Sequence, residues 1–380
     1  MSVAMALTFA VTGSSSAMAS TRTAATLTAA SSPSGTVDFM IPDTTPSRYI
    51  EQDGPDFAAA LKKLAPGVTV KLVNAAGDQT TQQSQAEAAI SAGAKALVVV
   101  AADPPLSGGL LAYAHKHNVP VIGYENVPED GPMYAQVEFN PEQAGALQGK
   151  YFAHEVTSGA LGKTPVKLVR LYGNDGDVYD TQMLIGQNKY LNPLIKSGKV
   201  DVVCQSYTPN WAESAYVTEM AQCLSKTSNG VRAVLGVDDD SEEGSIASIQ
   251  AAHLTAGSGP KDIAVFGGQN PTVVGLDQML MGEQEDDVIK PFLFEADAAA
   301  KLTVAALKGE PAPKSLVNAT VNAGNNNEVP TDLIGEDYVS GSNVAAQINK
   351  TVVLTKTFTW SQICVGAVTS TSGCKTYNKG

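Results

Sequence analysis

Residues 91–125 read S-A-G-A-K-A-L-V-V-V-A-A-D-P-P-L-S-G-G-L-L-A-Y-A-H-K-H-N-V-P-V-I-G-Y-E, and this stretch decides the fold. An unbroken apolar run, Ala96 to Ala101, ends at Asp103 and a Pro pair. An amphipathic stretch from Leu106 to His117 follows, and a second apolar run, Pro120 to Tyr124, ends at Glu125. Strands that are apolar without alternation are buried on both faces, as parallel strands covered by helices are. The unit is therefore β-α-β. Upstream, strands are expected over Val37–Ile41 and Val68–Val73, with helices over Pro46–Leu64 and Thr80–Ala92; Tyr134–Phe139 closes the set. After Asn140 a helix runs through Val156, and apolar runs recur at Val166–Tyr172, Val200–Ser206, Ala233–Val237, Ile263–Gly267 and Val288–Phe294. Two sets of similar size give an α/β protein of two lobes, each a parallel sheet flanked by helices. The first is expected to comprise residues 36–139 plus 295–318, the second 140–294 plus 319–380. Crossings near Asn140, Phe294 and Asn318 would form a three-segment hinge.

The chain has 380 residues, 43% of them hydrophobic and 17% charged, enough for two such lobes. Its net charge of −13, from 38 acidic and 25 basic residues, opposes nucleic acid, whose binding is driven by clustered Lys and Arg. No run approaches the roughly 20 apolar residues of a membrane span. Val3 to Val11 is apolar and is followed by Ala17-Met18-Ala19, the small-x-small pattern of a cleavage site, although a basic start is missing. Residues 1–19 are expected to be an export signal and 20–35 a Ser/Thr/Ala-rich linker. The mature chain would then lie in the periplasm or on the outer face of the cell envelope. No Cys near the cleavage site offers a lipid attachment point. The four cysteines, with no His at zinc-ligand spacing, are expected to form two local disulfides, Cys204 with Cys223 and Cys364 with Cys374. Sequence allows the other pairings and four buried thiols as well.

In open α/β sheets ligands bind at the carboxyl ends of the strands. Standing there are Asp43 to Arg48, Asp103, Glu125 with Asn126, Asn140, Asn174 to Asp180, Trp211, Asp238 with Asp239, Gln269 with Asn270, and Glu295. Carboxylates and amides with flat rings suit a neutral polyhydroxyl ligand, the polar groups bonding hydroxyls and the rings covering an apolar sugar face. Asp and Asn are also ordinary helix caps and turn residues, and both readings stay open for each. The run Asp238-Asp239-Asp240-Ser241-Glu242-Glu243 lacks the spacing of a calcium loop, so no metal is expected. Gly173-Asn174-Asp175-Gly176 lacks the glycine pattern of a nucleotide turn. The four histidines lie in helical stretches and no G-x-S-x-G elbow is present, which argues against a hydrolytic triad.

Ordered pieces along the chain carry a resemblance: I-P-D-T-T-P-S-R-Y at 41–49, the run at 91–103, N-V-P-V-I-G-Y-E at 118–125 and F-N-P-E-Q-A-G-A-L-Q-G at 139–149. Later come V-L-G-V-D-D-D at 234–240, F-G-G-Q-N at 266–270 and N-E-V-P-T-D-L-I at 327–334. From Val37 to Cys374 the chain resembles the exported substrate-binding proteins of bacterial sugar ABC transporters, of the ribose/xylose type. It is most similar to the xylose-binding and multiple-sugar-binding group. The resemblance implies two Rossmann-like lobes (the type I periplasmic-binding-protein fold), a monosaccharide held between them, and delivery to a membrane ABC permease. It implies a monomer with no cofactor and no chemistry on the ligand.

Residue by residue, Arg48 and Tyr49 stand where the family has an Arg-Trp pair, and Asp103 and Trp211 match a family Asp and Trp. Asp239 matches the Asp of an Asn-Asp turn, Asn270 replaces the Asp of a Gly-Gln-Asp triplet, and Asn140 stands where an Asp is usual. Glu125-Asn126 replaces an Asp-Arg pair, Glu295 lies near a family Lys, and Asp180 joins the set from its strand end. Losing that Arg and Lys removes charge-assisted donors and leaves a pocket rich in acceptors. This leaves the ligand open among pentoses, hexoses, polyols and amino sugars. A sensor passing the sugar signal to a membrane receptor is the main alternative. A secreted sugar-acting enzyme is another, and a repressor's effector domain would need an N-terminal DNA-binding helix pair that is not seen.

Overall fold

The computed structural model describes residues 1, 32–44 and 47–378. The expected export signal, most of the linker and the pair Thr45-Pro46 lie outside the described residues. The first sheet grows from β1 (Ser34–Ile41), α1 (Gly54–Leu64), β2 (Gly67–Asn74), α2 (Gln79–Ser91), β3 (Ala96–Val99), α3 (Gly108–Lys116), β4 (Val121–Tyr124) and β5 (Ala135–Phe139). These strands lie in the order β2-β1-β3-β4-β5 and all pair in parallel. Alternation along β1 shows why both faces must be apolar. Val37, Phe39 and Ile41 pack with Phe57 and Leu61 of α1, while Met40 packs on the other face with residues of α2 and α3. Each such side chain contributes about 1.5–3 kcal/mol when fully buried.

The chain then crosses into a second sheet. Its elements are α4 (Pro141–Ser158), β6 (Val166–Tyr172), α5 (Val178–Lys196), β7 (Val200–Tyr207), α6 (Glu213–Lys226), β8 (Ala233–Leu235), α7 (Asp239–Ala251), β9 (Ala264–Phe266), β10 (Gly268–Gln269), α8 (Val273–Met281) and β11 (Asp286–Ile289). Strands β7-β6-β8-β9 are parallel, and β10 pairs in parallel with β11. Helices α4 and α5 meet backbone to backbone. A Cβ on Gly145 would lie 2.0 Å from the Met183 carbonyl oxygen, and one on Gly186 would lie 2.1 Å from that of Glu142. No side chain fits at either position.

The last third of the chain returns to both sheets through α9 (Phe292–Leu307), β12 (Ala319–Asn322), β13 (Glu328–Ile334), β14 (Asp337–Ser340), α10 (Val344–Ile348), α11 (Trp360–Ile363) and α12 (Ser372–Tyr377). Two expectations are corrected here. The apolar run at 288–294 is not one strand: β11 ends at Ile289, and Pro291, which lacks an N–H, precedes the first turn of α9. Residues 319–334, expected in the second lobe, belong to the first sheet, because β13 pairs in parallel with β5 and β12 pairs with β13. The third crossing therefore falls at Gly335-Glu336, between β13 and β14, and not near Asn318; β14 pairs with β11 of the second lobe. Both disulfides have the expected partners, Cys204–Cys223 and Cys364–Cys374. Among the described residues no helix is long and apolar enough to cross a membrane.

Candidate functional site

A cavity of about 770 Å³, its mouth included, opens where the carboxyl ends of the two sheets face each other. Tyr49, Glu125 and Asn126 line it from the first lobe; Asp177, Tyr179, Trp211, Gln269 and Asn270 line it from the second. Four lining residues, Glu125, Asn210, Trp211 and Asn270, hold left-handed backbone, with φ of 53°, 58°, 53° and 58°. For Glu and Trp this conformation is costly, and such strain concentrates at ligand clamps.

The indole of Trp211 is placed by two neighbours. Its Nε1–H donates to Asp177 Oδ2 at 3.1 Å. Beneath it lies Gly173, where a Cβ would come within 2.3 Å of the ring, so glycine is required for the ring to lie there. The Gly173 N–H is in turn held by Asp180 Oδ1 at 2.9 Å. Burial pushes the Asp180 carboxyl up to about 7, although this N–H bond works in the opposite direction. Tyr179 reaches the cavity from the first turn of α5, and its hydroxyl donates to Gln269 Oε1 at 3.3 Å.

Behind the first lobe's wall sits a buried ionic cluster. Arg48 donates to both oxygens of Asp53, at 2.7 and 2.9 Å, to Glu295 at 2.6 Å and to Glu125 at 3.2 Å. Phe292 covers the guanidinium face at 3.9 Å. Lys290, fully buried on the segment leading into α9, donates to Glu125 Oε1 at 2.9 Å and bonds the Tyr179 hydroxyl. Burial disfavours ionised Glu125, yet Lys290 and Arg48 beside it hold its carboxyl below the usual range. Burial, reinforced by the charge of Glu125, pushes Glu295 well above that range, while the Arg48 guanidinium beside it works in the opposite direction.

The candidate residues thus divide. Tyr49, Glu125, Asn126, Trp211 and Asn270 come together at the cavity. Arg48, Glu295, Asp180 and Asp239 stand one layer behind: Asp239 is buried, accepting from the Thr272 N–H at 2.8 Å and from Gln284 at 3.2 Å. Asn140 caps α4 by accepting from the Gln143 N–H at 3.0 Å and does not line the cavity. Asp103 does not line it either; its N–H donates to Gln79 Oε1 at 2.9 Å. Asp177 and Asp238 are helix caps and cavity walls at once, so both readings of a strand-end carboxylate hold for them. Sequence reasoning missed Lys290, hidden in an apolar run taken for a strand. Arg48 and Lys290 both pair with Glu125 Oε1, a carboxylate that sequence presents as free, yet neither cation lines the cavity. Tyr179 and Gln269 stood among the strand-end residues without being singled out. Among the described residues no cluster of His, Cys, Asp and Glu is arranged to hold a metal ion.

Two α/β lobes, three crossings and a polar, aromatic-lined cavity between strand ends define a bilobed small-molecule-binding protein. Residues 37–311 match the family described as periplasmic binding protein domain, and the chain belongs to that family. It is 28% identical to the D-xylose-binding periplasmic protein of Haemophilus influenzae over 76% of this chain and 80% of that one. It is 26% identical to the D-xylose-binding periplasmic protein of Escherichia coli over 83% and 89%. The fold is similar to that of an ABC transporter solute-binding protein from Clostridium phytofermentans with bound β-D-glucose, at a TM-score of 0.76 and 24% identity, covering 87% of this chain and all of that one.

Proposed function

We propose that this protein captures a monosaccharide, a pentose or a hexose, between its lobes and delivers it to a membrane ABC permease after export. The observation that carries the reading is the cavity itself. Tyr49, Tyr179 and Trp211 offer aromatic faces, while Asn126, Gln269, Asn270 and Asp177 offer amides and a carboxylate, the combination that a ring of hydroxyls on an apolar carbon frame requires. The names of the xylose-binding relatives and the glucose-bound structural neighbour point to the same class of ligand. A ligand touching both lobes favours the closed arrangement, since only differential affinity for two states can shift their balance.

Calorimetric titration of the full chain with D-xylose, D-glucose, D-ribose and L-arabinose tests the reading. Saturable binding of at least one is expected, and Trp211→Ala is expected to weaken it more than tenfold, about 1.4 kcal/mol or more. Silence across the panel, or unchanged affinity in the variant, would overturn it.

A further inference from the structure

We infer that Arg48 and Asn270 form a latch between the lobes, one that favours closure without Arg48 contacting the ligand; this rests on the reading of the chain as a closing binder. A guanidinium has five N–H groups, and all five of Arg48's are engaged within the protein. Nε donates to Asp53 Oδ2, Nη2 to Asp53 Oδ1 and Glu295 Oε2, and Nη1 to Glu125 Oε1 and, at 3.3 Å, to Asn270 Oδ1. No donor remains for a sugar hydroxyl.

Four of the five bonds go to carboxylates that the first lobe supplies. Asp53 directly precedes α1, Glu125 follows β4 and Glu295 lies in α9, which packs in the first lobe's core. These partners fix the guanidinium whether or not the cleft is shut, so its side-chain freedom is already lost before closure. The fifth bond leaves the lobe. Asn270 follows β10 in the second lobe, and its left-handed backbone, which Asn tolerates better than most residues, holds its side chain against Arg48. The other cation here, Lys290, bonds Glu125 of the first lobe and the Tyr179 hydroxyl of the second, but it stands on a hinge crossing and not on a lobe face. Arg48 is therefore a preformed hook and Asn270 its catch. Opening the cleft exchanges a charge-assisted bond for hydration of one N–H.

The test uses the full chain without ligand, with one spectroscopic label on each lobe to report the distribution of inter-lobe distances. Asn270→Gly keeps the left-handed backbone at no steric cost and removes the catch. Asn270→Asp keeps the acceptor. The glycine variant is expected to shift the closed-to-open ratio about tenfold toward open, and the aspartate variant to stay within about twofold of the natural chain or to close further. Identical distributions for the natural chain and the glycine variant would overturn the latch, as would an aspartate variant as open as the glycine one. Since no sugar is present, this result stands apart from the titration. A chain that binds no sugar yet opens on Asn270→Gly refutes the proposed function and supports the latch.

Discussion

In the first lobe the buried carboxylates Asp53, Glu125 and Glu295 surround two cations, Arg48 and Lys290. The second lobe buries Asp238, Asp239, Glu242, Asp286 and Asp287, and among the described residues no ion pair reaches any of them. Among the described residues, both oxygens of Glu242 and of Asp287 are without hydrogen-bond partners. Burial pushes Asp286 up to about 7 and pushes Glu242 and Asp287, which also face other acids, well above the ordinary range. One lobe sets cations against its buried acids, while in the other burial and neighbouring acids favour the protonated form. The second lobe also carries both disulfides, a covalent restraint on the half without buried ion pairs.

The strongest way to break this contrast is to remove the cation. Arg48→Met leaves Asp53 without its bidentate partner in a buried site, and a loss of about 3–5 kcal/mol is expected in urea unfolding. A loss under about 1 kcal/mol would show that the cluster is hydrated and not the dry ion-pair network described. Next in size are the disulfides. Closing loops of 19 and 10 residues restricts the unfolded chain by about 3 kcal/mol each, so Cys204→Ala/Cys223→Ala and Cys364→Ala/Cys374→Ala should each lower stability by about that amount. The Cys364–Cys374 pair lies in a cluster of its own with Trp360, Ile363 and Val368, against α8 and β14. Its loss should therefore leave sugar affinity unchanged.

The protons give a third test with a definite sign. An acid whose folded pKa exceeds its unfolded value binds more protons in the folded state, so stability falls as pH rises from about 4 through the folded pKa. For Asp286 that window runs from about 4 to about 7. Thermal unfolding is expected at a lower temperature at pH 8 than at pH 5, and Asp287→Asn should raise it at pH 8 while changing little at pH 5. A melting temperature that climbs from pH 5 to pH 8 would mean that cations or water satisfy these acids.

Much of the fold was legible because parallel strands covered on both faces write themselves as uninterrupted apolar runs; Val166–Tyr172 matches β6 residue for residue. Where pairing is non-local the text went silent. Nothing in N-E-V-P-T-D-L-I says that β13 reaches back to β5, nearly two hundred residues upstream. At the site, strand ends pointed to the right turns but not to the layer on which each residue acts. Trp211 and Asp180 both stand at such ends, yet Trp211 lines the cavity while Asp180 holds the Gly173 N–H behind it. Lys290 could not be read at all, because a cation within an apolar run resembles the snorkelling end of a strand.

Asn140 gives the smallest and most discriminating prediction. It lies at the first crossing between the lobes, one of the strand-end residues expected to hold ligand, and its side chain instead accepts the Gln143 N–H at the start of α4. Removing an N-cap acceptor costs about 1 kcal/mol, so Asn140→Ala should lower stability by roughly that amount. Its effect on sugar affinity should stay within about twofold, because the cavity wall keeps every residue that lines it. Asn140→Asp keeps the acceptor and adds a charge favourable at a helix N-terminus, so it should restore or slightly exceed the natural stability. If Asn140→Ala weakens binding tenfold while Asn140→Asp does not rescue it, the residue reaches the ligand from the hinge, and the boundary drawn here between wall and frame must move toward the crossings.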